Sequence, residues 1–303
     1  MQKEVTKKVT GGILIISLLL LLGVIAATAV SPPPALPNKF WGNVSVNGVD
    51  APTDTIIEAY IDGELRGTTT VGIEGEYGNN LNYLAVTGTL YDRGKIITFV
   101  ITLPDGRVMT AQETAEWGHM QPPRKVDLTG VAPPLVTDPS ANPAIIPDDT
   151  DDTPLWGEEA ELSVTVTDIC AIDSVTIDLS QIGGDSEAVM TDTGGGVYTI
   201  VTNASDGTTP GTYLLPVNAT NAPGLSETSV SVELTVKKNG DVDDDGDVDE
   251  DDVVYLGCYA LGVPGYDLNE RIADVDGSGV VNLLDAVYLA SHINGIAGYE
   301  LLR

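Results

Sequence analysis

Basic residues are scarce in this chain, 14 against 45 acidic ones, and the formal net charge is −31. A surface of that sign repels nucleic acid and anionic lipid, which excludes both as partners, while it suits calcium or a salty exterior. Cysteine is nearly absent: Cys170 and Cys258 stand alone and far apart, so no disulfide framework staples the fold, and they are read as two separate, partly buried thiols. His119 and His292 are the only histidines, and no His, Cys and Asp cluster has the spacing of a catalytic zinc site. Neither a G-x-S-x-G elbow nor a glycine-rich loop between strand and helix occurs. Aromatic residues make up 5% of the chain, and Trp41, Trp117 and Trp156 are too scattered to form a sugar-stacking platform; they are read as core residues at domain edges. Carboxylate neighbours such as Glu158 and Glu159, or Glu113 and Glu116, are read as solvated charges rather than as a glycosidase pair.

What the chain does contain is Val, Thr, Ile, Gly, Asn and Asp, a composition of short strands and turns. The fold class is therefore mainly β, two β-sandwich domains in tandem followed by a small helical domain, with one hydrophobic helix at the N-terminus. Lys3, Lys7 and Lys8 precede an apolar run over 11–30 that is long enough to span a bilayer. Residues 1–30 are thus a membrane anchor with the rest of the chain outside, or a signal peptide cleaved near Ala29. Either way the protein is extracellular, anchored at the cell surface or secreted. The sequons at Asn43, Asn203 and Asn218 are glycosylation candidates in that setting.

A proline-rich spacer covers 31–37. Residues 38–130 read as the first sandwich: 41–46 alternates, Asn47-Gly48 is a hairpin signal, 55–61 and 64–71 flank Asp62-Gly63, and 96–103 and 107–114 flank Pro104-Asp105-Gly106. The stretch 131–154 carries six prolines and five acids, and it reads as an extended linker. Residues 155–236 give about seven strands, an Ig-like pattern. Both linkers read as flexible, leaving domain orientation open.

Residues 237–303 hold the same acidic cassette twice, offset by 33 residues. The first copy places Asp241, Asp243 and Asp245 at loop positions 1, 3 and 5, Gly246 at 6, Asp247 at 7 and Asp252 at 12. The second places Asp274, Asp276, Ser278, Gly279, Val280 and Asp285 at the same positions. Alternate oxygens converge on one hard cation, the glycine permits a sharp turn so that position 7 offers its carbonyl, and the acid at 12 closes the shell. The expected cofactor is Ca2+ at two sites, the second weaker because Ser278 is neutral where Asp245 is charged. After each loop an apolar stripe, Val253, Leu256 and Ala260, then Ala286, Leu289 and Ile293, predicts a helix. Two such helices have too little interior to fold without a staple, which calcium would supply.

A strand rather than a helix precedes the first loop, and position 12 is Asp rather than Glu. Loop then helix, twice, in GDVDDDGDVDEDD and ADVDGSGVVNLLD, resembles a type I dockerin. The resemblance implies docking onto a cohesin-type module, in a polysaccharide-degrading or surface complex, through Glu250, Asp251, Cys258 and Gly262 and then Leu283, Leu284, Ser291 and Gly295. Leu283 and Leu284 are the expected anchor, because burying apolar side chains costs less than desolvating acids. More weakly, WGNVSVNGVDAP and TIIEAYIDGELRGTTTV resemble the transthyretin-like, carboxypeptidase regulatory-like sandwich, and 155–236 resembles surface Ig-like domains. Two alternatives stay open: a glycan-binding or glycan-hydrolysing sandwich carried by the docking module, and a structural surface protein whose calcium is purely structural.

Overall fold

The computed structural model describes residues 35–79, 81–148 and 157–302. The expected N-terminal anchor or signal peptide over 1–30 lies outside the described residues, as do most of the spacer over 31–37 and Trp156. No helix among the described residues is long and apolar enough to cross a membrane. The architecture is mainly β, with several sheets and three short helices near the C-terminus.

The first core lies between two sheets. In one, Asn38–Val46 is the central strand, with Val49–Asp50, Glu76–Tyr77 and Leu84–Val86 antiparallel to it and Arg124–Lys125 and Leu128–Gly130 parallel. The other runs Glu64–Thr70, Ile56–Ile61, Ile96–Thr102, Val108–Glu116, all antiparallel. Side chains alternate along each strand, so Phe40, Val44 and Val46 point inward with Ile57, Ala59, Ile61, Ile97, Phe99 and Ile101. Phe40 meets Phe99 edge-on at 5.5 Å. The expected turns are present. Asn47 and Gly48 both take positive φ (55° and 79°), as a tight turn matching strand twist requires. Trp117 is fully buried and donates its indole N–H to the Val86 carbonyl at 3.3 Å, whereas Trp41, expected in a core, is 40% exposed. It lies one residue from Phe40 on a strand of period two, and Phe40 takes the inward position.

The second core is an Ig-like sandwich. One sheet orders Leu135–Asn142, Ala160–Thr167, Val197–Thr202 and Thr191–Gly194; the other orders Ile145–Pro147, Ser231–Lys237, Gly211–Asn221, Ile172–Ile177 and Ala188–Val189, with Ser226–Glu227 beside Gly211–Asn221. Here the reading of 131–154 as a linker is corrected. Leu135–Asn142 pairs antiparallel with Ala160–Thr167, the chain then changes sheet, and Ile145–Pro147 pairs parallel with Ser231–Lys237. The prolines are compatible with this because each avoids an interior ladder position. Pro133 and Pro134 precede the first strand, Pro139 sits in the irregularity between Thr137 and Ser140, Pro143 lies between the two strands, and Pro147 ends the second. Val136 and Ile146 enter the core from this stretch; its remainder, 149–154, lies outside the described residues. Glu158, expected in solvent, is buried in the turn that precedes Ala160–Thr167.

The sandwiches are also not loosely strung. Arg107 donates to the Asp168 carboxylate at 3.0 Å and to the Pro133 carbonyl at 2.8 Å, with both charged side chains at most 9% exposed. Asn221 donates to the other Asp168 oxygen at 2.7 Å. Asn47 from the first sandwich and Asn221 from the second both donate to the Ala132 carbonyl, pinning the chain where it crosses. Cys170 and Cys258 are separate, half-buried thiols.

Candidate metal centre

Strand Ser231–Lys237 runs into the first acidic loop with no helix between. Helix α1 (Glu250–Ala260) follows that loop, α2 (Glu270–Ala273) is a single turn before the second loop, and α3 (Leu283–Ile293) follows it. The duplication persists in three dimensions. Each long helix opens on a capping box, Asp249 with Asp252 and Asn282 with Asp285, in which the cap side chain accepts from the helix backbone and the acid accepts from the cap N–H. Tyr255 meets Tyr266 edge-on at 4.9 Å, and Tyr288 meets Tyr299 in the same way at 4.9 Å. Leu256 and Leu289 are fully buried against Val242, Ala273, Val275, Ala286 and Leu302.

This third core is small, so its packing is tight. Gly240 has φ of 90°, and a Cβ there would stand 2.9 Å from Leu302 and 3.0 Å from Leu289. Two contacts tie the module to the second sandwich. The Asn239 N–H donates to Asp148 at 2.6 Å, and the Arg271 guanidinium donates to the Gly157 carbonyl at 3.1 Å.

In each loop the position 1 carboxylate turns inward and accepts the N–H groups of positions 5 and 6. Asp241 takes Asp245 and Gly246, both at 3.1 Å, and Asp274 takes Ser278 at 3.0 Å and Gly279 at 2.7 Å. The position 12 acid spans the loop: Asp252 accepts from Val242, Asp243 and Asp249, and Asp285 from Asp276 and Asn282. Backbone that bends this far needs the left-handed region at position 4, held by Asp244 (φ 65°) and Gly277 (φ 67°), and at position 6, held by Gly246 and Gly279.

The result is two matched carboxylate clusters. Oxygens of Asp241, Asp243 and Asp252 lie within 4.8 Å of one another, and so do those of Asp274, Asp276 and Asp285. Asp247 falls instead in a group with Asp249 and Asp252. Asp245 stays on the rim, where its carboxylate accepts from the Asp247 N–H, and Ser278 donates to Asp274 and to the Val280 carbonyl. The carboxylates at positions 1 and 12 are at most 7% exposed, and among the described residues no lysine or arginine pairs with any of the six clustered acids. Lys237 bridges to Asp244, outside the cluster, at 2.6 Å.

Like charges gathered out of water resist ionisation. Burial, then Asp252, raises the Asp241 carboxyl above the usual range, burial raises Asp274, and burial pushes Asp285 up to about 6. Such a donor set, hard oxygens without a counter-charge, fits a divalent cation of the calcium type.

The residues expected at a partner face are all at least partly accessible. Glu250, Asp251, Leu283 and Leu284 are exposed, and Cys258 and Ser291 are half-buried, with the Ser291 hydroxyl donating back to the Val287 carbonyl at 2.7 Å. Of the glycosylation candidates, Asn43 and Asn218 are exposed and Asn203 is half-buried. Sequence reasoning missed α2 and its reach to Gly157, since a single helical turn has no apolar period to detect; Asn269, which caps it, is the one local signal.

No family model matches the chain, and no curated protein matches it. Among solved structures it is similar to the major pilin subunit of Bacillus cereus, at 12% identity over 67% of this chain and 69% of that one, with a TM-score of 0.28. It is likewise similar to an amphioxus IgVJ-C2 molecule (15% identity, 66% and 98% covered, TM-score 0.23) and to Drosophila N-cadherin (15% identity, 66% and 68% covered, TM-score 0.27).

Proposed function

We propose that this is a non-catalytic extracellular protein that binds two calcium ions in a dockerin-like C-terminal module and docks through it onto a cohesin-type partner. The observation that carries the reading is the repeated loop, in which buried carboxylates converge without a protein cation to neutralise them. Asp241, Asp243 and Asp252 would hold one ion and Asp274, Asp276 and Asp285 the other, with Asp245, Asp247, Ser278 and Val280 completing the shells. Calcium supplies the charge that those acids repel one another without, and so links metal binding to folding of a module with a small core. The second site is the weaker, because Ser278 contributes no charge.

Two sandwiches, the first transthyretin-like and the second Ig-like, hold that module away from a cell surface, to which the N-terminal segment anchors the chain. The docking face is chemically lopsided. On α3, Leu283, Leu284 and Val287 are 47%, 65% and 58% exposed, whereas the matching positions of α1 present Glu250, Asp251 and Val254. An exposed apolar group rimmed by polar residues marks an interaction surface.

Calorimetry should therefore find two calcium sites, and a panel of cohesin modules should include one captured in calcium and released by chelator. The double change Leu283→Asp and Leu284→Asp should abolish capture and leave both calcium sites intact. No calcium uptake refutes the metal centre. Uptake without capture, or capture unaffected by the double change, refutes the docking face and leaves calcium a structural role.

A further inference from the structure

The outer face of the first sheet carries a feature the docking reading does not use. Alternation on Asn38–Val46 turns Lys39, Trp41 and Asn43 outward together. Strand register then sets Lys125 opposite Trp41 and Glu76 opposite Asn43, while Tyr83 comes in on the other side, just before Leu84. Trp41, Asn43, Glu76, Tyr83 and Lys125 line an open cavity of about 500 Å³. Its wall is closed by the chain from Gly78, whose φ is 69° and where a Cβ would lie 2.8 Å from the Trp41 Cα; only glycine lets that segment lie so close.

The chemistry of the lining is mixed in a particular way. Trp41 is 40% exposed and Leu81 is 80% exposed, so the lining offers apolar surface to solvent. Beside them stand donors and acceptors in balance. The Asn43 carboxamide has no hydrogen-bond partner among the described residues, Glu76 accepts from Asn79 at 3.4 Å, and Lys125 is matched by Asp127 at 3.0 Å while its ammonium stands over one face of the Trp41 ring, 5.9 Å from the ring centre. A purely apolar ligand would strip water from these groups and give nothing in return. An anionic ligand would meet Glu76 and a chain of net charge −31. A pyranose suits both halves of the lining, since its C–H face lies against an aromatic ring while its hydroxyls both donate and accept.

We infer that this cavity is a binding site for a neutral saccharide chain, with Trp41 as the stacking platform and Asn43, Glu76 and Lys125 as its hydrogen-bonding edge. The inference goes beyond the docking reading and does not rest on it.

The test uses the full chain, with calcium present, on an array of neutral plant, fungal and bacterial polysaccharides, followed by calorimetry with the hexasaccharide of any polymer retained. At least one neutral polysaccharide should be retained; Trp41→Ala should weaken its binding at least ten-fold, Trp41→Phe should keep most of it, and Glu76→Gln should weaken it less than Trp41→Ala. Unchanged thermal unfolding of these variants guards against misfolding, and the Leu283→Asp, Leu284→Asp protein should bind saccharide as the native chain does. The inference is overturned if no neutral saccharide binds at millimolar concentration, or if Trp41→Ala binds as well as native. Trp41-dependent binding of peptides instead of glycans overturns it in favour of a polypeptide ligand. A glycan found attached to Asn43 in material from the native host overturns it too, because that glycan would cover the cavity.

Discussion

Removing calcium should leave a module whose stability runs against the usual pH trend, and Asp285 sets the size of the effect. Its carboxyl is displaced from 3.8 to about 6 by burial in the folded chain. A raised acid binds its proton more tightly when folded than when unfolded, so its favourable contribution is complete below about pH 4 and is lost as pH rises through 6. That displacement corresponds to roughly 2–3 kcal/mol. Asp241, Asp243 and Asp274 are raised as well and push in the same direction. On the proposed reading calcium should reverse the sign: the ion would need the ionised acids, so its stabilisation should be present above pH 6 and fade below. Hydrogen-exchange mass spectrometry on peptides covering Glu250–Ala260 and Leu283–Ile293, corrected for intrinsic rates, reads both states. In chelator, protection should fall by about 2 kcal/mol between pH 4 and 7.5, and Asp285→Asn should flatten most of that slope while abolishing calcium uptake at its loop. Protection that rises with pH in chelator, or that ignores calcium at pH 7.5, would refute the reasoning.

Two further predictions concern the scaffold. Ile146 is fully buried from within the proline-rich stretch, so Ile146→Ala should cost the second sandwich about 2–4 kcal/mol in urea unfolding; a change near zero would return that stretch to linker status. Arg107→Ala leaves the Asp168 carboxylate buried without its cation, a loss of about 3 kcal/mol by the usual cost of breaking a buried pair. Calorimetry should then show the first two sandwiches unfolding less cooperatively, and native-like coupling would show that Arg107 does not join them.

Legibility differed from place to place for physical reasons. The hairpin at Asn47-Gly48 and the strands around Asp62-Gly63 were readable because positive φ and period-two alternation are local properties. The loop positions of Asp241, Asp243 and Asp252, and of Asp274, Asp276 and Asp285, were readable for a related reason: a twelve-residue loop closes on itself, so spacing alone brings its ends together. Trp41 was misplaced because composition says that large aromatics are buried, while one step of strand phase decides which side they face.

By itself, then, the chain order determined what depends on near neighbours: the β character, the turns, the repeated acidic loops and the apolar stripes of α1 and α3. Only the tertiary structure decided whatever needs a partner distant in sequence. It made strands of 135–142 and 145–147 by bringing Ala160–Thr167 and Ser231–Lys237 alongside, since a lone strand has nothing to satisfy its backbone. It paired Arg107 with Asp168, and it assembled Trp41, Glu76, Tyr83 and Lys125 around one cavity from four separate strands and turns.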